Sequence, residues 1–121
     1  MIPVILETPF AAPDDDGIAA NVDFARACMR DCLLRGEAPF ASHLLYTQPG
    51  VLDDRTPDER KRGIDAGFAW RSVARKTVVY TDRGISGGMK LGVANAEAAG
   101  HVIEYRRLVD VGAKLGGDRA P

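Results

Sequence analysis

The sequence predicts an α/β fold, a three-layer sandwich whose mostly parallel, flavodoxin- or Rossmann-like sheet of about four to five strands carries helices on both faces. Two observations lead there. Strand-like and helix-like segments alternate along the chain, and parallel neighbours need crossover connections of that kind. The chain has 121 residues, 45% of them hydrophobic, which suits one compact core and excludes a second full domain. The domain is expected over residues 1–108. Residues 109–121, rich in glycine and charge, read as a C-terminal tail with little to bury.

Pro3 to Leu6 is a short apolar run closed by Glu7, Thr8 and Pro9, so it reads as a buried strand that stops where proline removes a ladder donor. From Gly17 to Arg35, the residues Ile18, Val22, Ala25, Met29, Cys32 and Leu33 recur every three or four positions, the pattern of an amphipathic helix. Asp16 is positioned to cap its start and Gly36 to supply the left-handed turn at its end. Ala38 to Ser42 is a brief strand, and His43 to Arg55, with Pro49-Gly50 inside it, reads as a loop.

Thr56, Pro57 and Glu59 form a helix-start signature, and the second helix is expected to run to about Arg75. Its stripe of Ala66, Ala69, Trp70 and Val73 suits a sheet contact. Ile64 and Phe68 lie on another side, available for a subunit interface or for packing under the preceding loop. Thr77 to Thr81 is wholly β-branched or aromatic and is the strongest strand signal. A Gly-rich turn then leads into a third helix with Met89, Val93 and Ala96 on one face, closed by Gly100. His101 to Tyr105 forms the last strand.

With 16 basic and 17 acidic side chains the net charge is −1, which argues against electrostatic partnership with DNA, RNA or an anionic membrane. No apolar run reaches the roughly 18 residues of a span, and the start lacks the order of a secretion signal, so a cytoplasmic protein is expected. Cys28 and Cys32 lie four apart in one helical pattern. They read as two reduced thiols rather than a disulfide framework or a zinc site, and no cofactor is expected.

In a doubly wound sheet the first and third strands are neighbours at the switch point, outside whose carboxyl ends ligands bind. Here that brings together the loop from Glu7 to Asp16 and the turn Asp82-Arg83-Gly84-Ile85-Ser86-Gly87-Gly88-Met89. The turn fits neither the phosphate-loop nor the dinucleotide fingerprint. As a strand-to-helix junction it suits an anion, or Ser86 serves only as a helix cap. Asp14-Asp15-Asp16 reads as capping and dipole compensation rather than as a metal site.

Thr8-Pro9-Phe10, Asn21-Val22, Ser42-His43-Leu44-Leu45, Asp82 and Ile85-Ser86-x-Gly88-Met89 occur in an order and spacing that resembles the nucleoside 2-deoxyribosyltransferase-like superfamily, particularly its small phage and bacterial members. The similarity covers about residues 3–107. It implies binding of a nucleoside or nucleotide, exchange or hydrolysis of the N-glycosidic bond in the enzymes, and homo-oligomers. It also implies ligand-binding roles for Thr8, Pro9, Phe10, Asn21, Ser42, His43, Asp82, Ser86, Gly87, Gly88 and Met89.

The superfamily's enzymes carry a nucleophilic Glu in a motif similar to Ser-x-Gly-x-x-x-Glu, and that position falls here on Gly92. Glu97 lies about 140° further around the helix and does not replace it. Asp65 and Asp82 are the candidate catalytic carboxylates. Asp82 is alternatively a turn-forming residue and Asp65 a solvated helix acid, while Glu7 is left open between binding a ribose hydroxyl and acting as a general base. Ser42 and His43 are adjacent and point apart, so His43 reads as a binding residue rather than a base for Ser42. Phe10 is placed to stack on a base, to close the cleft or to tuck into the core.

Three functions stay open: an N-glycosidic hydrolase or transferase, a non-catalytic binder of a nucleotide-derived signal, and an interaction protein self-associating through the second helix. Gly92→Glu is expected to create or increase base release if the cleft keeps the superfamily's geometry.

Overall fold

The structure, a computed structural model, describes residues 1–108. Its elements run β1 (Ile2–Glu7), α1 (Asp15–Leu34), β2 (Glu37–Phe40), α2 (Ser42–Leu45), α3 (Pro57–Ala69), β3 (Lys76–Tyr80), α4 (Gly87–Ala98) and β4 (Val102–Arg106). The four strands form one parallel sheet in the order β2-β1-β3-β4. The chain therefore turns outward in opposite directions from β1, and the crevice between the ends of β1 and β3 is the switch point. The tail expected over 109–121 lies outside the described residues.

Alternation along the strands assigns the two faces. Val4, Leu6, Val78 and Tyr80 pack with Cys28 and Cys32 of α1 in the main core. Glu7 and Thr77 point to the other face, where they meet α4 and the segment after α3. Helices thus cover both faces, as the alternation of segments predicts.

The differences from the expected elements have local causes. Helix α1 starts at Asp15, with Asp14 rather than Asp16 as its cap, because the Asp14 carboxylate accepts from the Gly17 N–H at 2.7 Å. Its end agrees, with Gly36 at φ +83°. Its buried face carries Asn21, Ala25, Cys28, Asp31 and Cys32, while Leu33 is exposed. Ala25 and Cys32 of the expected stripe are thus inside, and two polar residues join them because each has partners there. Asp31 accepts from the buried Tyr80 hydroxyl at 2.6 Å and from Arg35 at 3.0 Å. Asn21 donates to the Phe10 carbonyl at 2.9 Å.

Helix α3 ends at Ala69, six residues before the expected Arg75. The chain bends there because Arg71 turns inward and the Arg75 N–H is drawn onto the Pro3 carbonyl at 2.7 Å. The helix is also rotated from its expected orientation. Ile64, Gly67 and Phe68 face inward, and Ala69 and Trp70 face out. Trp70 rests against Phe40 at 4.9 Å between ring centroids and donates to the Tyr46 hydroxyl. The expected loop at 43–55 opens with the helical turn α2, onto which α3 packs. Gly67 permits that approach, since a Cβ there would meet the Ser42 Oγ at 2.5 Å.

A buried ionic network crosses the α1 face. Arg106 donates to both carboxylate oxygens of Glu37, at 2.7 Å and 2.5 Å, and also to Glu104 and the Tyr80 hydroxyl. Lys76 bridges Glu37 and Glu104 at 3.0 and 2.9 Å. These partners hold the Glu37 carboxyl at about 2 despite its burial.

Candidate functional site

The crevice between the ends of β1 and β3 opens into a cavity of about 210 Å³. This is smaller than the roughly 300–1,000 Å³ of drug-sized sites, so a ligand larger than one ring system extends through its mouth. Phe10, Ile64 and Phe68 give it apolar walls. Thr8, Ser42 and His43 line it from the ends of β1 and β2, and Ser86, Gly87, Gly88 and Met89 from the start of α4. Eight of the residues the superfamily resemblance singles out as binding residues therefore meet in one place.

Three do not line it. Pro9 is buried behind the wall. Asn21 is committed to holding two loops, donating to the Phe10 carbonyl and accepting from Arg83 at 3.0 Å. Asp82 accepts from the Leu108 N–H at 2.8 Å and is absent from the cavity wall. Asp65 is also outside, on the exposed side of α3, paired with Lys61 at 2.7 Å. The two carboxylates favoured as catalysts from sequence thus stand away from the cavity, because one binds the Leu108 N–H and the other faces solvent beside Lys61.

The acidic group at the base of the cavity is Glu7. Its side chain is 14% exposed, and its nearest cation is Arg71, 3.7 Å away. It accepts no hydrogen bond from a described residue. Burial outweighs the Arg71 charge and pushes the Glu7 carboxyl up to about 7. Directly above it is Gly92 of α4, where a Cβ would lie 2.1 Å from Oε2 and 2.4 Å from the carboxyl carbon. The space that a side chain at 92 would need is filled by the Glu7 carboxylate. In a Gly92→Glu variant two carboxylates would therefore compete for one volume.

Arg71 was hidden from sequence reading inside the overlong second helix. Its guanidinium is buried and held on three sides: Nε donates to Asn95 at 3.1 Å, one terminal nitrogen to Thr77 at 2.6 Å, and the other to the Gly92 carbonyl at 2.9 Å. Behind it, the Thr77 hydroxyl lies 2.8 Å from His101 Nδ1, and His101 Nε2 lies 2.8 Å from the Ala74 carbonyl. A carbonyl only accepts, so Nε2 carries the proton, Nδ1 accepts from Thr77, and Thr77 in turn accepts from Arg71. The chain of bonds fixes the guanidinium beside Glu7.

His43 Nε2 lies 2.6 Å from the Thr8 hydroxyl, and burial lowers the imidazole to about 4, so it stands in the cavity as a neutral ring at neutral pH. Ser86 does cap α4, accepting from the Met89 N–H at 3.2 Å. Arg60 is a further residue that sequence reading missed. It is paired with Asp54 at 2.8 Å and brings a guanidinium nitrogen to the Gly88 corner of α4. Among the described residues no group of His, Cys, Asp or Glu is arranged to hold a metal ion.

The fold and this cleft define an α/β domain of the doubly wound class with a titratable pocket at its switch point. The chain belongs to a family described as a domain of unknown function, DUF7768, whose model matches residues 3–106. No curated protein and no solved structure matches it. No helix among the described residues is long and apolar enough to cross a membrane.

Proposed function

We propose that this protein binds a nucleoside or nucleotide in the switch-point cavity and acts at its N-glycosidic bond by hydrolysis or transfer. One observation carries the reading. The Glu7 carboxylate fills the volume over the bare α-carbon of Gly92, the position at which the resemblance to nucleoside 2-deoxyribosyltransferases leads one to expect an acidic side chain. A carboxyl group is thus kept at that point of the cleft although a different element supplies it. Phe10, Ile64 and Phe68 suit the faces of a planar ring, and the Thr8 and Ser42 hydroxyls suit a sugar.

A second reading, a non-catalytic binder of a nucleotide-derived signal, is favoured by Gly92 itself, which has nothing with which to attack an anomeric carbon. In either case the reading puts the protein in the cytoplasm, that of the host if it is phage-encoded. Trp70 and Val73, exposed beside each other after α3, are the surface we assign to self-association.

Stoichiometric protein incubated with mixed nucleosides and nucleotides, ultrafiltered and chromatographed, tests the reading. Selective depletion of an intact compound or appearance of free base is expected. Full recovery of every compound would leave the cavity without a nucleoside ligand.

A further inference from the structure

The Glu7 carboxylate is an expensive group for this fold to bury. It sits at the cavity with a single cation at 3.7 Å, and it accepts no hydrogen bond from a described residue. Every other carboxylate at the cavity is satisfied. Asp54 is bound to Arg60 at 2.8 Å, and Glu59 accepts from the Asp53 N–H at 3.1 Å and from the Thr56 hydroxyl at 3.1 Å. The fold also gives up a side chain at 92 to seat Glu7. A buried acceptor left open toward a cavity is one that a ligand or a water molecule completes.

We propose that Glu7 is the general base of the N-glycosidic reaction, activating water against the anomeric carbon, with Arg71 as its positioning residue. This rests on the N-glycosidic reading above. The carboxylate takes a proton from water as the water oxygen bonds to the anomeric carbon, and the bond from that carbon to the base nitrogen breaks with its electron pair left on the nitrogen. The proton on Glu7 then passes to the departing base, which restores the carboxylate. The products are free sugar and free base, and no covalent sugar-enzyme intermediate forms. Arg71, locked by Asn95, Thr77 and the Gly92 carbonyl, keeps the carboxylate from rotating away without neutralising it in a close ion pair.

The charged and titratable side chains that share the cavity with Glu7 are Arg71, Arg60, Glu59, Asp54, His43 and Tyr46; α4 contributes none. His43 stays neutral above about pH 5 because its imidazole is held near 4. With the 2′-deoxynucleosides, which carry no group titrating near neutrality, an inflection near pH 7 in base release therefore belongs to Glu7, whose carboxyl is raised to about 7.

The test measures base release and ligand retention in parallel for the wild-type chain and Glu7→Gln. The probes are the four 2′-deoxynucleosides and their 5′-monophosphates. The amide keeps the shape and removes the charge, so the variant is expected to fold. Wild-type rates are expected to rise with pH through about 7 and level off, and Glu7→Gln to lose about 100-fold or more while retaining the probe. Base release by Glu7→Gln within threefold of wild type, or a wild-type profile without the inflection, overturns the assignment of Glu7 but leaves the N-glycosidic reading standing. Retention of a probe with no base released by the wild type overturns the assignment and replaces that reading with the binding one. If Glu7→Gln does not fold, Glu7→Asp takes its place. The shortened side chain withdraws the carboxylate from the water, and the same 100-fold loss or its absence decides.

Discussion

Arg106→Ala is expected to lower the unfolding free energy by about 3–5 kcal/mol, the cost of removing one partner from a buried ion pair, and the melting temperature by about 10–25 °C. Arg106 and Glu37 are each about 5% exposed, and the guanidinium also holds Glu104 and the Tyr80 hydroxyl, so its loss strands several polar groups. The acid limb moves as well. Glu37 has a folded value of about 2 against an ordinary 4.5, so its contribution is complete above pH 4.5 and lost as pH falls through 2. Without Arg106 that value rises toward 4.5, and acid unfolding of the variant is expected to begin at a higher pH. Denaturant titrations of both chains between pH 2 and 7 check both effects. A loss under 1 kcal/mol at pH 7, or superimposable acid limbs, would show that Lys76 alone satisfies Glu37.

Gly92→Ala is expected to weaken nucleoside or nucleotide binding by about tenfold or more while leaving a folded protein. In an exposed helix the change would stabilise by roughly 1 kcal/mol through propensity. Here the new Cβ would stand 2.1–2.6 Å from all three carboxyl atoms of Glu7, so the carboxylate must leave its seat and project into the cavity. One methyl group thereby removes the ligand's volume. Isothermal titration of wild type, Gly92→Ala and the double variant Glu7→Ala/Gly92→Ala measures this. The double variant, with the carboxylate gone, is expected to melt above Gly92→Ala in parallel thermal scans, because the clash with Glu7 is removed, but not to regain the affinity. Unchanged affinity in Gly92→Ala would mean that Glu7 swings aside without consequence for the ligand.

Both predictions depend on pairs that sequence reading did not join. All four strands and the three long helices were legible, because apolar runs, caps such as Ser86 and the turn glycine Gly36 act locally. What apolar periodicity missed was the polar residues buried on α1 and the orientation of α3. On α1 the expected stripe of Ile18, Val22, Ala25, Met29, Cys32 and Leu33 turns inward except for Leu33, and Asn21 and Asp31 are buried beside it because partners on distant strands and loops satisfy them. The same held for α3, whose inward face is Ile64 and Phe68 because it covers a cavity and packs on α2 rather than lying flat on the sheet. At the site, the switch-point position of the two loops followed from chain order. Gly92 stood out as an absence and Glu7 as one acid among several. Their contact is set by how closely α4 approaches the end of β1, a distance no local pattern encodes. Arg71 was invisible for a similar reason, since its three acceptors come from two later elements, β3 and α4.

The proposed function requires a nucleoside or nucleotide in the cavity that Glu7 lines. The most direct measurement is a backbone amide NMR titration of the isotopically labelled chain with 2′-deoxynucleosides and their 5′-monophosphates. Saturable shifts are expected at Glu7, Thr8, Ser42, His43 and the α4 residues from Gly87 to Gly92, with the β4 and outer α1 amides unmoved. Absence of any saturable shift, or shifts confined to residues outside the cavity wall, would contradict binding there.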